Sequence, residues 1–414
     1  MTKAPHSPTS LEKSDIKVLL LENVHESAHA IFGAHGFHVE AISRALKEDE
    51  LAQRLAEGVH VLGIRSKTRV TKRALQAGTE LLSVGAFCIG TNQIDLEAAT
   101  HCGVTVFNAP FSNTRSVAEL VIGEIVMLAR QLGDRSREVH DGQWRKVSAS
   151  CYEIRGKTVG IIGYGHIGSQ VGVLAEAMGM RVISHDIRPT LPMGNNAAVD
   201  SLDTLLRTSD FVTLHVPETP LTKSMIGEAE LAKMRPTAFL LNLSRGSVVD
   251  LSALAAAIKD RKLAGAAIDV YPDEPEGNAD DFASVMRGLP NVILTPHIGG
   301  STREAQEAIG REVANALAKF TVTGSSVGAV QFPHLDPPRL EGTHRVLNVH
   351  RNVPGVLRDI NSIVSARNAN ILGQMLATTP QIGYLIMDLD KDVAGDVRTA
   401  IAELDASIKT RILY

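Results

Sequence analysis

Three polar side chains in the second half of the chain are of the types that oxidation of an alcohol requires. Arg245 lies in Asn-Leu-Ser-Arg-Gly-Ser, Glu274 in Asp-Val-Tyr-Pro-Asp-Glu-Pro, and His297 in Thr-Pro-His-Ile-Gly-Gly. A histidine titrates near neutral pH, so it can accept a proton in one direction and return it in the other. A nearby carboxylate orients the ring and favours its protonated form. The planar guanidinium of an arginine matches a 2-hydroxy carboxylate.

Each of these residues also has an ordinary interpretation when it is taken alone. Arg245 fits a surface ion pair, Glu274 a solvated loop charge, and His297 a capping residue near a turn, since most charged side chains are simply solvated. The hypothesis of a shared site depends on all three following strands of one sheet.

A glycine-spaced turn indicates what accepts the hydride. Gly160-Ile-Ile-Gly-Tyr-Gly-His-Ile-Gly168 overlaps a short apolar strand, Thr158 to Ile162. Gly163 permits a tight turn, Gly165 lets the backbone approach a pyrophosphate, and Gly168 lets the next helix pack on the strand. That helix points its N-terminus at the phosphates.

One carboxylate distinguishes between the two nicotinamide dinucleotides. The next strand, Arg181 to His185, is followed by Asp186, eighteen residues after Gly168. A carboxylate there accepts both hydroxyls of the adenosine ribose and repels a 2'-phosphate. The sequence therefore predicts NAD as the cofactor, against the alternative of an ordinary turn and an ordinary surface aspartate.

Composition excludes several other classes of protein. With 414 residues, 44% hydrophobic and 21% charged, the chain has the size of two or three globular domains. A net charge of -4 gives no electrostatic footprint for nucleic acid or an anionic membrane. Any phosphate-bearing ligand must therefore be held by local arginine or lysine.

The termini and cysteines indicate a cytoplasmic protein without a metal. Residues 1–15 are polar and lack the apolar core of a signal peptide, so we expect a disordered tail. The apolar stretch Leu120 to Leu128 is too short to span a bilayer and contains Glu124. Cys88, Cys102 and Cys151 share no metal-binding spacing, and we expect reduced thiols.

Short apolar strands alternate with segments of helical length, which is typical of βαβ units and parallel sheets. The first set of predicted strands is Lys17 to Leu21, Val59 to Ile64, Leu81 to Val84 and Val104 to Phe107. A helix from Ser116 to Leu132 crosses to a second set. After Thr158 to Ile162 and Arg181 to His185, that set continues with Phe211 to Val216, Ala238 to Leu243, Ala266 to Val270 and Val292 to His297.

Ligands of such sheets bind beyond the carboxyl ends of the strands. The residues at or beyond these ends are Asp186, His215 with Pro217, Ser244 with Arg245, Asp269, and His297.

The last third of the chain changes pattern. A long amphipathic helix, Thr302 to Phe320, leads to a Gly-, Ser- and Pro-rich segment, Gly324 to Pro338, that is typical of a linker. From His344 to Tyr414 the order is strand, helix, strand, strand, helix, strand. This βαββαβ order is the ferredoxin-like motif.

Motifs along nearly the whole chain resemble the NAD-dependent 2-hydroxyacid dehydrogenases of the D-isomer-specific family, in the form with one C-terminal ACT domain. The match lies in Gly85 to Asp95, Phe107 to Glu119, Gly160 to Gly168, the segments of Arg245, Glu274 and His297, and His297 to Gln306. The resemblance implies a Rossmann-type NAD domain inserted in a flavodoxin-like α/β substrate domain, followed by a ferredoxin-like ACT domain. The expected bounds are 16–112 with 298–330 for the substrate domain, 113–297 for the NAD domain, 331–342 for a linker, and 343–414 for the ACT domain.

The same resemblance implies roles for individual residues. His297 would be the acid/base, Glu274 its partner, and Arg245 the carboxylate anchor, while Asp269 would hold the nicotinamide carboxamide. The expected cofactor contacts also include the other strand-end residues above and Gly163, Gly165, His166, Ile167, Gly168, Leu243, Gly299 and Gly300.

The implied reaction is oxidation of 3-phospho-D-glycerate to 3-phosphohydroxypyruvate, the first step toward L-serine. Arg65 and Ser66 match the family's substrate-binding pair, and Asn113 and the backbone of Val84 and Gly85 face the same cleft in the family. Lys146 and Arg44 are further candidates for contacts with the substrate phosphate.

The ACT domain implies regulation. In the family, positions that match His350, Asn352 and Asn370 hold L-serine, a feedback inhibitor, at the interface of two copies; the alternative is a purely structural dimerisation domain. A homotetramer through the NAD-domain and ACT-domain interfaces is expected. Relatives often have paired glycines before this domain, whereas here Thr343 follows Gly342, so we expect a stiffer hinge.

Two other functions remain open at this point. One is reduction of an unphosphorylated 2-oxo acid such as hydroxypyruvate or glyoxylate, against which the Arg65 and Lys146 cations and the ACT domain argue. The other is a non-catalytic NAD-sensing scaffold, which the fold alone does not exclude. The complete set of Arg245, Glu274 and His297 favours turnover.

Overall fold

The structure is a computed structural model that describes residues 12–275, 281–338, 340–390 and 394–413. The chain forms two compact units, one from the stretch up to Ser112 together with the stretch from Glu307 onward, and one from Asn113–Gln306. Residues 1–11 of the predicted tail lie outside the described residues, and Lys13–Asp15 form a short 3-10 helix. Among the described residues, no helix is long and apolar enough to cross a membrane.

The first unit begins with a five-stranded parallel sheet. Its strands are β1 (Lys17–Leu21), β2 (His38–Ile42), β3 (Val61–Ile64), β4 (Ser83–Ala86) and β5 (Thr105–Asn108), and its helices are α1 (Glu26–Ala34), α2 (Glu48–Ala56), α3 (Lys72–Ala77) and α4 (Leu96–His101). The strand order β2-β1-β3-β4-β5 is the flavodoxin-like order. The predicted fold of this module is confirmed.

One strand of this sheet was not predicted, and three others have bounds that differ from the prediction. Strand β3 begins at Val61 rather than Val59, and β5 spans Thr105–Asn108 rather than Val104 to Phe107. Strand β2 was not predicted, because it lies at the sheet edge, where its side chains are only partly buried and its sequence lacks an apolar run. Strand β4 begins two residues later than predicted, so Val84 and Gly85 lie inside the strand rather than at its end.

The second unit is a doubly wound α/β domain. It contains α5 (Thr114–Ala129), α6 (Leu132–His140), β6 (Thr158–Ile162), α7 (His166–Ala177), β7 (Arg181–His185), β8 (Ala197–Ala198), α8 (Leu202–Thr208), β9 (Phe211–Leu214), α9 (Glu228–Leu231), β10 (Phe239–Asn242), α10 (Leu251–Lys259), β11 (Gly265–Ile268) and β12 (Val292–Leu294). All seven strands are parallel, in the order β12-β11-β10-β9-β6-β7-β8. This extended 3-2-1-4-5-6 order confirms the Rossmann-type prediction.

Several predicted strands of this sheet run too far at their carboxyl ends. The strands β9, β11 and β12 end at Leu214, Ile268 and Leu294. As a result, His215, Asp269 and His297 all lie in the loops beyond the sheet, where ligands of this fold bind.

The chain then returns to the first unit through α11 (Arg303–Thr323) and ends in an antiparallel sheet. Its elements are β13 (His344–Arg351), α12 (Val356–Ala366), β14 (Ile371–Thr378), β15 (Ile382–Leu389), α13 (Ala394–Ala402) and β16 (Ser407–Leu413), with the strand order β14-β15-β13-β16. The ferredoxin-like prediction is confirmed for the described residues; Tyr414 lies outside them.

One face of the antiparallel sheet packs against the first α/β module. Leu347 and Tyr384 share a hydrophobic core with Phe107 and Leu317. The Tyr384 hydroxyl donates to the Gly324 carbonyl oxygen at 2.6 Å. The two modules therefore share one core.

A buried ion pair also anchors the segment whose composition predicted a linker. Arg345 and Asp388 pair at 2.8 Å with side chains only 2% and 5% exposed. The Arg345 guanidinium also donates to the carbonyl oxygen of Pro338 at 2.7 Å. The Thr343 hydroxyl donates to the Leu340 carbonyl at 2.8 Å. The stretch before the ACT module is thus irregular in structure but held by specific contacts.

Candidate active site

The carboxylate of Asp269 organises the turn that carries the candidate acid/base. It accepts hydrogen bonds from the Thr295 hydroxyl at 2.7 Å and from the backbone N–H groups of Ile298 and Gly299 at 2.8 and 2.9 Å. The backbone N–H of His297 donates to the Asp269 carbonyl oxygen at 2.8 Å. These four bonds hold His297 at φ +53°, a left-handed conformation that is uncommon for a residue with a side chain.

His297 pairs with Glu274, as the sequence predicted. The Nδ1 atom lies 2.9 and 3.0 Å from the two carboxylate oxygens, and the backbone N–H of Tyr271 donates to the same carboxylate at 3.2 Å. The two side chains are 51% and 38% exposed. Because Nδ1–H donates to the carboxylate, Nε2 is the ring atom left to exchange a proton with a substrate.

The pair shifts both pKa values in the direction that proton transfer requires. The hydrogen bond that His297 donates to Glu274 raises the pKa of His297, although burial and the charge of Arg245 act against this. Burial pushes the pKa of Glu274 upward, but the hydrogen bond and charge of His297 hold it below its usual range. The carboxylate therefore stays ionised while the imidazole gains and loses its proton.

Asn242 shapes the loop that carries Arg245. The Asn242 side-chain oxygen accepts from the Ser244 N–H at 3.1 Å and from the Ser244 hydroxyl at 2.8 Å, while its amide donates to the Arg245 carbonyl at 3.0 Å. The guanidinium donates to the Ser244 carbonyl at 2.7 Å. Hydrogen bonds within the loop therefore fix its conformation directly after β10.

Gly246 allows this loop to approach the segment before Glu274. A Cβ at Gly246 would lie 2.0 Å from the backbone carbon of Tyr271, so any side chain would force the two loops apart. At this separation the positive charge of Arg245 lowers the pKa values of both Glu274 and His297. The three predicted catalytic residues thus form one electrostatic cluster.

The glycine turn has the geometry of a dinucleotide site. Gly163 has φ +88°, and a Cβ there would lie 2.7 Å from the His215 carbonyl oxygen. A Cβ at Gly168 would lie 2.2 Å from the Gly163 oxygen, whereas a Cβ at Gly165 would meet nothing within 4 Å. Gly165 therefore faces open space at the N-terminus of α7, whose first residues are His166 and Ile167. A helix N-terminus of this kind favours an anionic group.

Backbone donors also fix Asp186, the carboxylate that was predicted to distinguish NAD from NADP. Asp186 accepts from the N–H groups of Tyr164 and Arg188 at 2.8 and 2.9 Å. One carboxylate oxygen of Asp186 is thus hydrogen-bonded to the backbone of the glycine turn. This position is consistent with a carboxylate that accepts hydrogen bonds from ribose hydroxyls.

His215, a member of the predicted cofactor set, is partly buried just after β9. Its Nε2 lies 3.0 Å from the Thr213 hydroxyl, and Nδ1 has no hydrogen-bond partner among the described residues. Burial lowers the pKa of His215 to about 3, so the ring is neutral. Pro217 accepts from the Thr222 hydroxyl at 2.6 Å, and Leu243 and Ser244 are buried at the end of β10.

The predicted substrate residues of the first unit lie at β3 and β4. Arg65 and Ser66 begin the loop after β3, and Glu22 holds that loop by accepting from the N–H groups of Lys67 and Thr68 at 3.0 and 2.8 Å. Sequence reasoning missed Glu22, although its position directly after β1 was a signal for a residue that organises loops at the strand ends.

Val84 and Gly85 are buried within β4, and the glycine has a packing role. A Cβ at Gly85 would lie 2.6 Å from side-chain atoms of Val313 and Leu317 on α11. A larger residue would therefore displace the helix that follows the His297 segment in the chain.

Two further candidates belong to the second unit. Asn113 precedes α5; a Cβ at Gly300 would lie 2.5 Å from its amide nitrogen, and its buried Oδ1 lacks a partner among the described residues. Lys146 is exposed in the segment between α6 and β6. Arg44, by contrast, already pairs with Glu50 at 2.6 and 2.8 Å.

The predicted effector residues do not meet within one chain. His350 is buried in β13, with Nδ1 2.9 Å from the Asn348 side-chain oxygen, and the Asn352 amide donates to the Thr379 carbonyl at 2.8 Å. Asn370 precedes β14 at the opposite end of the sheet, since His350 pairs with Gly383 and Ile371 with Leu389. Six residues of strand separate these positions, or about 20 Å. A site with all three residues thus requires two copies.

Comparison with known proteins identifies the class. Residues 122–299 match the model of the D-isomer specific 2-hydroxyacid dehydrogenase NAD binding domain, and residues 347–410 match the AHAS small subunit-like ACT domain. A solved D-isomer specific 2-hydroxyacid dehydrogenase from Lactobacillus delbrueckii ssp. bulgaricus, in its NAD-complexed form, has a TM-score of 0.65 and 27% identity over 74% of this chain and 97% of its own. Fold, site and family model therefore define an NAD-dependent 2-hydroxyacid dehydrogenase.

Full-length relatives narrow the assignment. A D-3-phosphoglycerate dehydrogenase of Dictyostelium discoideum is 54% identical over 98% of this chain and 99% of its own, and that of Haemophilus influenzae is 49% identical over the same shares. The chain belongs to the D-3-phosphoglycerate dehydrogenase family.

A Glu274→Gln variant tests the His297 pair directly. Loss of the carboxylate charge removes the main cause of the raised imidazole pKa, so the pKa of His297 falls in the variant. NMR titration of the His297 ring measures this. Below pH about 6.5 the pair also stabilises the fold, and this contribution is lost as pH rises through the raised pKa of His297.

Asp273→Asn is the matched control, because Asp273 is the exposed carboxylate next to Glu274 in the same loop. An unchanged His297 titration in the Glu274→Gln protein would contradict the pairing.

Proposed function

We propose that the chain oxidises 3-phospho-D-glycerate to 3-phosphohydroxypyruvate, the first step of L-serine biosynthesis in the cytoplasm. The observation that carries the proposal is the His297 and Glu274 pair at 2.9 Å within the electrostatic reach of Arg245. Relatives named D-3-phosphoglycerate dehydrogenase match nearly the full chain, which supports this substrate over other 2-hydroxyacids.

In the oxidation, His297 Nε2 takes the proton of the substrate hydroxyl as hydride leaves the same carbon. Glu274 keeps the ring oriented and stabilises the imidazolium that forms. Arg245 binds the substrate carboxylate and polarises the developing carbonyl. The reverse reaction begins with protonated His297, which returns the proton.

NAD, when bound, supplies the hydride acceptor. We assign its contacts to the glycine turn with the start of α7, to Asp186 for the ribose hydroxyls, and to Asp269 for the nicotinamide carboxamide. The remaining proposed contacts are His215, Pro217, Leu243, Ser244, Arg245, His297, Gly299 and Gly300. The open space at Gly165 and the two backbone donors on Asp186 support these assignments.

The substrate phosphate requires cations, and we assign it to Arg65 with Ser66 and to Lys146. The backbone of Val84 and Gly85 and the side chain of Asn113 complete the proposed substrate set. The buried Oδ1 of Asn113, which has no hydrogen-bond partner among the described residues, supports a polar ligand at that position.

The regulatory proposal is that L-serine binds between two ACT modules, with His350 and Asn352 from one copy and Asn370 from the other. The separation of these residues along the sheet supports a site shared by two copies. A homotetramer that uses NAD-domain and ACT-domain interfaces fits this arrangement.

The phosphate requirement tests the substrate assignment. We expect kcat/KM for 3-phosphohydroxypyruvate reduction to exceed that for hydroxypyruvate or glyoxylate by at least 10²-fold, because a site with unpaired cations discriminates against a substrate that lacks the phosphate. Steady-state NADH consumption measures both. An Arg65→Ala variant should lose most of this preference, with Arg69→Ala as a control from the same loop. Equal or greater kcat/KM for glyoxylate would instead assign the protein as a 2-oxo acid reductase.

Inhibition by L-serine tests the regulatory proposal. L-Serine should inhibit the wild type, and Asn352→Ala should raise the inhibitory concentration by about tenfold or more, because a polar ligand loses a hydrogen-bond partner. The control is Ser362→Ala, an exposed position on α12. Unchanged inhibition in Asn352→Ala would remove this site from consideration.

A further inference from the structure

Glu124 is a buried acid in the middle of α5. Its residue is 1% exposed, and neither carboxyl oxygen has a hydrogen-bond partner among the described residues. A carboxylate without water, a partner cation or a hydrogen bond is far more costly to bury than a neutral carboxylic acid. The surroundings of Glu124 therefore disfavour its negative charge.

The charge of Asp269 acts on Glu124, and α5 packs against β11, the strand that Asp269 follows. The Asp269 carboxylate disfavours ionisation of Glu124, and Glu124 in turn interacts with the phenol of Tyr271. Helix α6, which packs against α5, carries Arg135 and Arg137, but these pair with Glu138 and Asp134. Strand β11 contributes no charged residue. β12 contains only Val292, Ile293 and Leu294, and the buried residues of α7 are Gly168, Val171, Gly172 and Ala175.

Hydrogen bonds decide which of the two acids keeps the proton. Asp269 accepts three donors, from Thr295, Ile298 and Gly299, and these stabilise its ionised form. Glu124 accepts none from the part of the chain that the structure describes. When two carboxyl groups interact in one buried region and only one has donors, the acid without donors is the one that stays protonated.

We propose that Glu124 is a positioning residue whose protonated, neutral form keeps a second negative charge away from Asp269 and so preserves the turn of His297. The proposal extends the acid/base role of His297 and, as a statement about catalysis, rests on the function proposed above. The protonation of Glu124 stands independently of any substrate.

Two features support a titration of Glu124 in the working pH range. Burial, and then the charge of Asp269, raise the pKa of Glu124 to about 8. Above that pH a second anion forms beside Asp269. The charge of Asp269 already raises the pKa of His297, so a second anion behind it favours the protonated ring further and leaves less of the neutral base that oxidation needs.

Thermal unfolding across pH 5 to 10 tests the protonation with Glu124→Gln, which keeps the shape of the neutral acid. Glu124 ionises in the unfolded chain above pH about 4.3 but stays neutral in the fold up to about 8. The wild type therefore loses stability through this window as pH rises, and the variant does not. The variant's advantage in melting temperature should widen from pH 5 to 8 and stay constant above. A difference that does not change with pH would overturn the proposal.

Glu119→Gln is the matched control, because Glu119 is an exposed glutamate on the same helix, paired with Arg115. It should follow the wild type at every pH. Should the Glu124→Gln protein not fold, Glu124→Met takes its place, since methionine is similar in volume and needs no hydrogen bond. The same widening difference is expected for it.

A second measurement addresses catalysis. The ratio of kcat/KM for 3-phospho-D-glycerate between Glu124→Gln and wild type should rise by about tenfold between pH 7 and 9, because one ionisation near pH 8 removes the active wild-type form. A ratio independent of pH would contradict the positioning role. Absence of turnover by the wild type itself would contradict the proposed function, and the melting curves would still decide the protonation of Glu124.

Discussion

The set of hydrogen bonds on Asp269 is the constraint on which the site depends. Asp269 directly follows β11. Its carboxylate accepts hydrogen bonds from the Thr295 hydroxyl and from the N–H groups of Ile298 and Gly299, and its carbonyl oxygen accepts one from the N–H of His297. A histidine in a left-handed backbone conformation is unfavourable by itself. Asp269 supplies the interactions that hold it, and so sets the position from which His297 meets Glu274.

The second constraint is that backbone segments approach each other closely at two places. In both, only glycine, which lacks a Cβ, leaves enough room. Gly246 lets the Arg245 loop lie against Tyr271, and Gly168 lets α7 lie against the turn at Gly163. The carboxyl ends of the strands in this sheet thereby carry a cation, the candidate acid/base pair and a helix N-terminus. No single one of these groups specifies the chemistry; their placement on adjacent strand ends does.

Much of this arrangement could be predicted from the sequence, because the spacing of apolar residues indicates which side chains are buried. The strands β1, β6 and β7 were predicted with their observed bounds, since each is a short apolar run bounded by turn residues. The pairing of His297 with Glu274 was predicted from residue type and from resemblance. The edge strand β2 was not, because an edge strand needs no apolar run.

Other features could not be predicted, because they depend on contacts between segments distant in sequence. The close approach of the Arg245 loop to Tyr271 at Gly246 is an example. The packing of the ACT sheet on the first module is another, since the Gly-, Ser- and Pro-rich segment indicated only a linker. Glu124 was visible as an interruption of an apolar helix face, but its missing partners and its interaction with Asp269 are properties of the fold alone.

The most direct test of the account is NADH formation from 3-phospho-D-glycerate, with the product trapped, by the wild type and by His297→Asn. Asparagine tolerates the left-handed conformation at this position, so the turn is retained while the acid/base is lost. We expect kcat to fall by at least 10²-fold, while the Kd for NAD stays within a few-fold of the wild-type value. A His297→Asn protein that oxidises the substrate at the wild-type rate would contradict the acid/base role of His297.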